Sequence, residues 1–196
     1  MRLLALLAVC AGCALVAGCG SDAGAAPLPA AAAGAAGAAS TSGGSVLRGV
    51  YSRLNGERDD LAGYRGKVVL VVNTATDCGF TPQFDGLEKL YRRLRGKGLV
   101  LLGFPSNDFA QESRSNKSIA TFCKNNYGVT FPMFGRTHVR GKHVDPLYSR
   151  LTAAAGAPEW NFNKYLLDRR GRVVARYTQN TEPLAGALVG RIKKLL

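Results

Sequence analysis

The chain has 196 residues, of which 46% are hydrophobic, and a formal net charge of +13. This composition is that of a one-domain globular protein and excludes a wholly disordered chain. The basic charge suits an anionic partner, but the Lys and Arg residues are scattered, and no helix-turn-helix, zinc-finger or RNA-recognition motif accompanies them. We therefore expect no nucleic acid among the partners.

The N-terminus has the pattern of a lipoprotein signal peptide. Arg2 is followed by a short apolar stretch that ends in the sequence LVAGC at 15–19. The stretch is too short to be read as a spanning helix. Its end resembles the bacterial lipobox, in which the cysteine is lipidated and the residues before it are removed. We predict a signal peptide at 1–18 and lipidation of Cys19, with an ordinary cleaved signal as the alternative.

The segment after Cys19 is dominated by Ala and Gly up to residue 45. Such a composition cannot bury a core, so we predict a flexible tether at 19–45 that joins a domain at 46–196 to a membrane. The expected location is the bacterial cell envelope, with the domain anchored by lipid and facing the periplasm. Gly20, where some inner-membrane lipoproteins have Asp, favours the outer membrane.

The remaining chain alternates between strand and helix patterns. In chain order they predict an edge strand at 50–54, a buried strand at 67–73, a helix at 83–95, a buried strand at 99–104, a helix at 116–127, a strand at 133–139, a helix from Pro146 to about 153, a hairpin at 165–177 and a last helix from Pro183 to 196. The strand–helix–strand order implies a parallel crossover. The predicted fold is α/β and thioredoxin-like, with a central mixed β-sheet of four or five strands flanked by helices.

The stretch VVNTATDCGFTP at 71–82 places Cys78 between a buried strand and a helix. Helix amides at such a junction favour a thiolate, so the position of Cys78 predicts chemistry. A CxxC thiol–disulfide pair would need a second cysteine at position 81, which is Thr81. After the lipidated cysteine, Cys78 and Cys123 are the remaining thiols, and a structural disulfide between them is the alternative.

Four stretches in the domain match one known family. They are VVNTATDCGFTPQFDGLEKLY at 71–91, LGFPSNDFAQES at 102–113, IATFCKNNYGVTFPMF at 119–134 and WNFNKYLLDRRGRVVARY at 160–177. In this order they resemble the glutathione peroxidase family over essentially all of 46–196. The resemblance implies a thioredoxin-like fold and the reduction of hydroperoxides, without a metal or other cofactor.

The resemblance also implies roles for individual residues. Cys78 falls at the position of the peroxidatic cysteine, and Gln111, Trp160 and Asn161 fall at the positions that surround its sulfur. Peroxide chemistry needs a thiolate and donors to the leaving oxygen, which amide and indole N–H groups supply. Cys123, in the motif TFC, falls at the position of a resolving cysteine. Disulfide formation with Cys78 would require its helix to unwind or swing.

The sequence departs from the family pattern in one loop and lacks one insertion. Ser106, Asp108 and Ser113 stand where members commonly have Cys, Gln and Pro, and the loop between Phe109 and Gln111 is one residue shorter. The insertion that tetrameric members carry before the Trp-Asn motif is missing. The resemblance therefore implies a monomer with an open site, a thioredoxin-like reductant in preference to glutathione, and lipid hydroperoxides among the substrates.

Functions of other classes remain as alternatives. A membrane-tethered peroxide sensor or thiol–disulfide relay module would use the same two cysteines, and hydroperoxide turnover would discriminate it from an enzyme. A copper-delivering module is disfavoured, because His138 and His143 have no cysteine pair beside them.

Overall fold

The computed structural model describes residues 44–196 and a two-residue strand at 37–38. The predicted signal peptide at 1–18, Cys19 and the predicted tether apart from residues 37–38 and 44–45 lie outside the described residues. The strands are β1 (Gly37–Ala38), β2 (Val50–Ser52), β3 (Arg58–Asp60), β4 (Val68–Thr74), β5 (Leu99–Pro105), β6 (Lys164–Leu167) and β7 (Val173–Tyr177). The α-helices are α1 (Gln83–Leu94), α2 (Asn116–Tyr127), α3 (Pro146–Ala155) and α4 (Gly186–Leu195).

One mixed sheet organises the domain, with strand order β1-β7-β6-β4-β5. Strands β4 and β5 are parallel, with Val68 opposite Leu99, and α1 lies between them in the sequence. Strand β6 runs antiparallel to both β4 and β7. The predicted parallel crossover, the predicted hairpin and the mixed sheet flanked by helices are confirmed.

Strand β4 is buried along its whole length because helices cover both faces of the sheet. Val68, Leu70 and Val72 belong to a cluster with residues of α1, α2 and α4. Val69 and Val71 point to the other face and join a cluster with residues of α3. A strand covered on both faces reads as a continuous apolar run, which is why the sequence predicted it well.

The helix ends follow local rules that are visible in the sequence. Ser115 caps α2 by accepting a hydrogen bond from the Ser118 N–H, and Gly128 ends that helix with a φ of 58°. Asp145 caps α3 as predicted, and Pro146 occupies its first turn. Within the described part of the chain, no helix is long and apolar enough to cross a membrane.

The predicted strand at 133–139 is wrong. Phe134 forms only an isolated bridge, to Arg53. Further along, the N–H of Val139 donates to the carboxylate of Asp108 at 2.6 Å rather than to a neighbouring strand. The Asp108 side chain thus accepts a backbone hydrogen bond that a strand residue would donate to its neighbour in a β-ladder.

Two further boundaries differ from the prediction. Helix α4 begins at Gly186 rather than at Pro183, because Ala185 donates its N–H to the Glu182 carbonyl at 2.9 Å and closes a separate turn first. The predicted edge strand lies outside the main sheet, since β2 pairs with β3 in a two-stranded sheet of its own.

Candidate active site

Cys78 lies in a tight turn between β4 and α1, and Thr81 fastens that turn. The N–H of Cys78 donates to Thr81 Oγ1 at 3.1 Å, and this hydroxyl donates to the Ala75 carbonyl at 3.0 Å. The N–H of Thr81 donates back to the Cys78 carbonyl at 2.9 Å. Thr81, at the position of the second cysteine of a CxxC pair, is therefore a buried residue that stabilises the turn. The sequence analysis did not predict this role.

Cys78 is 6% exposed, and its sulfur receives a backbone hydrogen bond. The N–H of Phe80 points to Sγ at 3.4 Å. A donor of this kind, just ahead of the N-terminus of α1, favours negative charge on sulfur. Within residues 44–196, Sγ accepts no hydrogen bond from Gln111, Trp160 or Asn161, which bond instead to one another or to residues of β4 and of the Cys78 turn.

Gln111 adjoins the Cys78 turn and contacts Asn161. The N–H of Asp77 donates to the Gln111 carbonyl at 3.1 Å. The buried Asn161 donates Nδ2–H to Gln111 Oε1 at 2.9 Å. The shortened loop reaches this position because Ala110 adopts a left-handed conformation with a φ of 56°. Gln111 and Asn161 are thus brought together at the edge of the turn that carries Cys78.

The backbone of Trp160 is fixed while its ring stays partly open to solvent. Its carbonyl accepts hydrogen bonds from Asn73 Nδ2 at 2.9 Å and from Asn163 Nδ2 at 3.0 Å. Asn73 belongs to β4, so the Trp160 loop is anchored to the strand that leads into the Cys78 turn. Trp160 is 37% exposed, and its ring lies 5.3 Å, centroid to centroid, from the ring of Phe109.

Cys123 lies on α2 and is 2% exposed. Burial raises the pKa of its thiol to about 12, and the charge of Glu112 adds to the effect. Cys78 and Cys123 belong to the same cluster of buried side chains, and both are free thiols. A thiol with so high a pKa is a poor nucleophile while α2 keeps its place.

Glu112 is a fully buried carboxylate that links the Cys78 turn to the segment before α2. It accepts the Thr76 N–H and the Thr76 hydroxyl, both at 2.9 Å. Arg114 completes the link by donating to Thr76 Oγ1 at 2.9 Å and to Asp77 Oδ1 at 2.8 Å. Burial raises the pKa of Glu112 against the opposing effect of these hydrogen bonds. No pattern in the sequence predicts this role, because an acidic residue in a polar loop is typical of a surface.

The chain matches the glutathione peroxidase family model over residues 48–152. It is 50% identical, over 150 residues, to a glutathione peroxidase of Lactococcus lactis subsp. cremoris, with 74% of this chain and 94% of the relative covered. The chain belongs to the glutathione peroxidase family. A glutathione peroxidase-like peroxiredoxin of Schizosaccharomyces pombe is 48% identical over 125 residues, with 61% of this chain and 79% of the relative covered.

Solved structures agree with this assignment. The apo form of the protein called Trgpx is similar with a TM-score of 0.61 and 31% identity, covering 78% of this chain and 96% of its own. A thioredoxin-family protein of Chlorobium tepidum, 12% identical over 85% of this chain and 99% of its own with a TM-score of 0.57, shows the fold alone. The predicted thioredoxin-like fold is confirmed. The glutathione peroxidase homologues also make the chain a thiol peroxidase that reduces hydroperoxides, with a peroxide and a thiol reductant as its partners.

Proposed function

We propose that Cys78 is the peroxidatic cysteine of this peroxidase and that Gln111, Trp160 and Asn161 supply hydrogen-bond donors to the reacting atoms when peroxide is bound. The observation that carries the proposal is the linkage of three segments: Asp77 bonds to the Gln111 carbonyl, and Asn161 bonds to the Gln111 amide. All three segments meet at the same end of the sheet, since β4 and β5 end there and β6 begins there.

The proposed first step is a displacement on oxygen. The Cys78 thiolate attacks one peroxide oxygen, an S–O bond forms and the O–O bond breaks. The leaving alkoxide or hydroxide takes a proton to become an alcohol or water, and the sulfur is left as a sulfenic acid. Neutral amide and indole N–H groups suit this step because they stabilise the thiolate and the leaving oxygen without a permanent cation.

The proposed second step uses Cys123 as the resolving cysteine. Its sulfur attacks Cys78 Sγ, a disulfide forms and water leaves. A thioredoxin-like dithiol then reduces the disulfide through a mixed disulfide, with glutathione as the alternative donor. The burial of Cys123 on α2 supports a mechanism in which that helix opens locally before the two sulfurs join.

We further propose that the enzyme works at a membrane surface as a monomer. The lipobox-like sequence that ends in Cys19 and the Ala/Gly-rich tether at 19–45 support an anchor in the bacterial envelope, facing the periplasm and favouring the outer membrane. A net charge of +13 favours contact with anionic lipid. Lipid hydroperoxides are therefore the proposed preferred substrates.

Peroxide consumption with a thioredoxin system tests the two cysteines. Cys78→Ser is expected to abolish turnover, and Cys123→Ser is expected to abolish it with thioredoxin while leaving one round of oxidation at Cys78. Full activity of Cys78→Ser would contradict the mechanism, and full thioredoxin-dependent activity of Cys123→Ser would remove the resolving role. Stoichiometric oxidation without turnover in the unaltered protein would favour the peroxide sensor or relay.

Vesicles that contain phospholipid hydroperoxide test the location. The full-length, lipid-processed protein is expected to reduce the vesicle hydroperoxide faster than the Cys19→Ser variant, while both reduce hydrogen peroxide at the same rate. Equal rates on the vesicle substrate would contradict the proposed advantage of the anchor.

A further inference from the structure

Lys164 is a fully buried lysine that the chemistry proposed above does not use. It is the first residue of β6, whose four residues are all buried. Its Nζ donates to the Phe162 carbonyl at 2.8 Å and to Gln83 Oε1 at 2.7 Å. Both acceptors are neutral, and among the residues described here Lys164 forms no ion pair with a carboxylate. Burying an amine in this way is costly, and an apolar residue would fill the position more cheaply.

The first acceptor connects Lys164 to the Trp160–Asn161 loop. Phe162 has a φ of 63°, a left-handed conformation that is unfavourable for a bulky side chain. Its backbone is held on both sides of Cα, since its N–H donates to the Asn73 carbonyl and its own carbonyl accepts from Lys164. This conformation sets the direction in which the chain leaves Asn161. Lys164 therefore stabilises the bend on which the position of Asn161 depends.

The second acceptor connects Lys164 to the turn that carries Cys78. Gln83 is the first residue of α1, and its N–H donates to the Phe80 carbonyl at 2.9 Å. Its buried side chain accepts from Lys164 and donates Nε2–H to the Gln179 carbonyl at 2.6 Å. Phe80 is also the residue whose N–H points to Cys78 Sγ. The Lys164 side chain thus joins the end of the Cys78 turn to the loop that carries Trp160 and Asn161.

We propose that Lys164 is a positioning residue of the peroxidase reaction, which bridges Gln83 and the Phe162 carbonyl and thereby fixes the Trp160–Asn161 loop relative to Cys78. The proposal rests on the assignment of Cys78, Trp160 and Asn161 made above. It accounts for a lysine in a strand that is otherwise suited to apolar residues, because an apolar side chain cannot hold two acceptors from two different segments.

The test measures the oxidation of Cys78 by hydrogen peroxide in the Lys164→Met and Gln83→Leu variants of the full chain. Trp160 is the one tryptophan of the sequence, so its fluorescence reports this step in a stopped-flow experiment. Each substitution is expected to slow oxidation by about 10- to 100-fold, as a misplaced donor set does. The double variant should be no slower than the slower single variant, since both remove the same bridge. Reduction of the oxidised enzyme by the dithiol should change by less than about twofold, because that half-reaction does not use the bridge.

Leu166→Ala is the matched control, because Leu166 is buried in the same strand and makes none of these contacts. It is expected to lower the melting temperature without slowing oxidation. The proposal would be overturned if Lys164→Met and Gln83→Leu both oxidised within about twofold of the rate of the unaltered protein. It would also be overturned if Leu166→Ala slowed oxidation as much as they do. Gln83→Leu keeps the test decisive if Lys164→Met does not fold. Full activity of Cys78→Ser would instead refute the proposed function, so the two failures are distinguishable.

Discussion

Thr81 and Cys78 hold each other through two hydrogen bonds of opposite direction: the Cys78 N–H donates to the Thr81 hydroxyl at 3.1 Å, and the Thr81 N–H donates to the Cys78 carbonyl at 2.9 Å. In a CxxC protein the same position supplies the second sulfur of an exchanging pair. In this chain Thr81 occupies that position and stabilises the turn that carries Cys78. On the proposed mechanism, Cys78 can therefore react with a peroxide, with no cysteine at position 81 to form a disulfide with it first.

Thr81→Val tests this role, because valine keeps the shape of threonine and removes the hydroxyl. The buried Cys78 N–H is left without its acceptor, so the free energy of unfolding is expected to fall by about 1–3 kcal/mol. Peroxide oxidation of Cys78 should slow as the turn loosens. Denaturant unfolding and stopped-flow fluorescence measure the two effects. Thr81→Ser, which keeps the hydroxyl, should retain most of both, and a fully stable and active Thr81→Val variant would refute the role.

Cys123 is expected to resist alkylation in the folded enzyme. Its pKa is raised from 9.0 to about 12 by burial, so its thiolate population at pH 8 falls about 1000-fold. In the Cys78→Ser variant, iodoacetamide labelling at pH 8 should therefore be very slow and should become fast in denaturant. Mass spectrometry of the labelled peptide gives the rate. Labelling as fast as that of a free cysteine under native conditions would contradict the buried position of this thiol.

Glu112→Gln should loosen the connection between the Cys78 turn and α2. One carboxylate oxygen is replaced by a donor that faces the donors of Thr76, so the free energy of unfolding should fall by about 1–3 kcal/mol. Amide exchange at the start of α2 should rise, and the Cys78–Cys123 disulfide should form faster after a pulse of peroxide.

Asp145→Asn is the control for this change, because it removes a carboxylate charge from the cap of α3 instead. It is expected to leave both the exchange of α2 and the rate of disulfide formation unaltered. Unchanged exchange and unchanged disulfide formation in Glu112→Gln would show that the carboxylate does not restrain the helix.

Lys164 should give the stability of the protein a recognisable pH dependence. Burial lowers the pKa of Lys164 from 10.5 to about 7, against the opposing charge of Glu182. The unfolded chain therefore binds more protons above pH 7, and the free energy of unfolding should rise with pH by up to about 1.4 kcal/mol per unit. The contribution is lost progressively as the pH falls from 10.5 to about 7.

Denaturant unfolding between pH 7 and 8 measures this slope, since the raised pKa of Cys123 changes the free energy of unfolding only near and above the ordinary value of 9.0, and the raised pKa values of Tyr51 and Tyr64 only near and above 10.0. Lys164→Met is expected to flatten the slope, and the exposed Lys193→Met is expected to keep it. An equal slope in all three proteins would contradict a depressed pKa in the folded state.

The sequence predicted best those elements whose signals are local. The sequence of β4 is apolar because both faces of the strand are covered. The start of α3 is predicted by Asp145 and Pro146, which form its N-terminal cap and first turn. The segment at 133–139 was predicted as a strand, but only Met133 and Phe134 form isolated bridges. The N–H of Val139 at its end binds the carboxylate of Asp108, a residue distant in the sequence, and no local pattern encodes such a contact.

The candidate site, like the fold, was predicted from the sequence only in part. The resemblance named Cys78, Gln111, Trp160 and Asn161, and the structure brings their segments together. The residues that hold those segments were missed, because a threonine in a turn and a glutamate in a loop have no distinctive pattern. Lys164 did leave a signal, since a lysine that opens the apolar strand KYLL departs from the strand's composition.

Because Cys123 is buried on α2, the opening of α2 determines when Cys123 can react. On the proposed mechanism the sulfenic acid at Cys78 persists until α2 opens, so its lifetime depends on the stability of a helix rather than on the reactivity of a thiol. A second peroxide that arrives within that interval would carry the sulfur on to the sulfinic acid, which no thiol restores. The dose of peroxide that the enzyme survives is therefore set by the contacts that hold α2 in place.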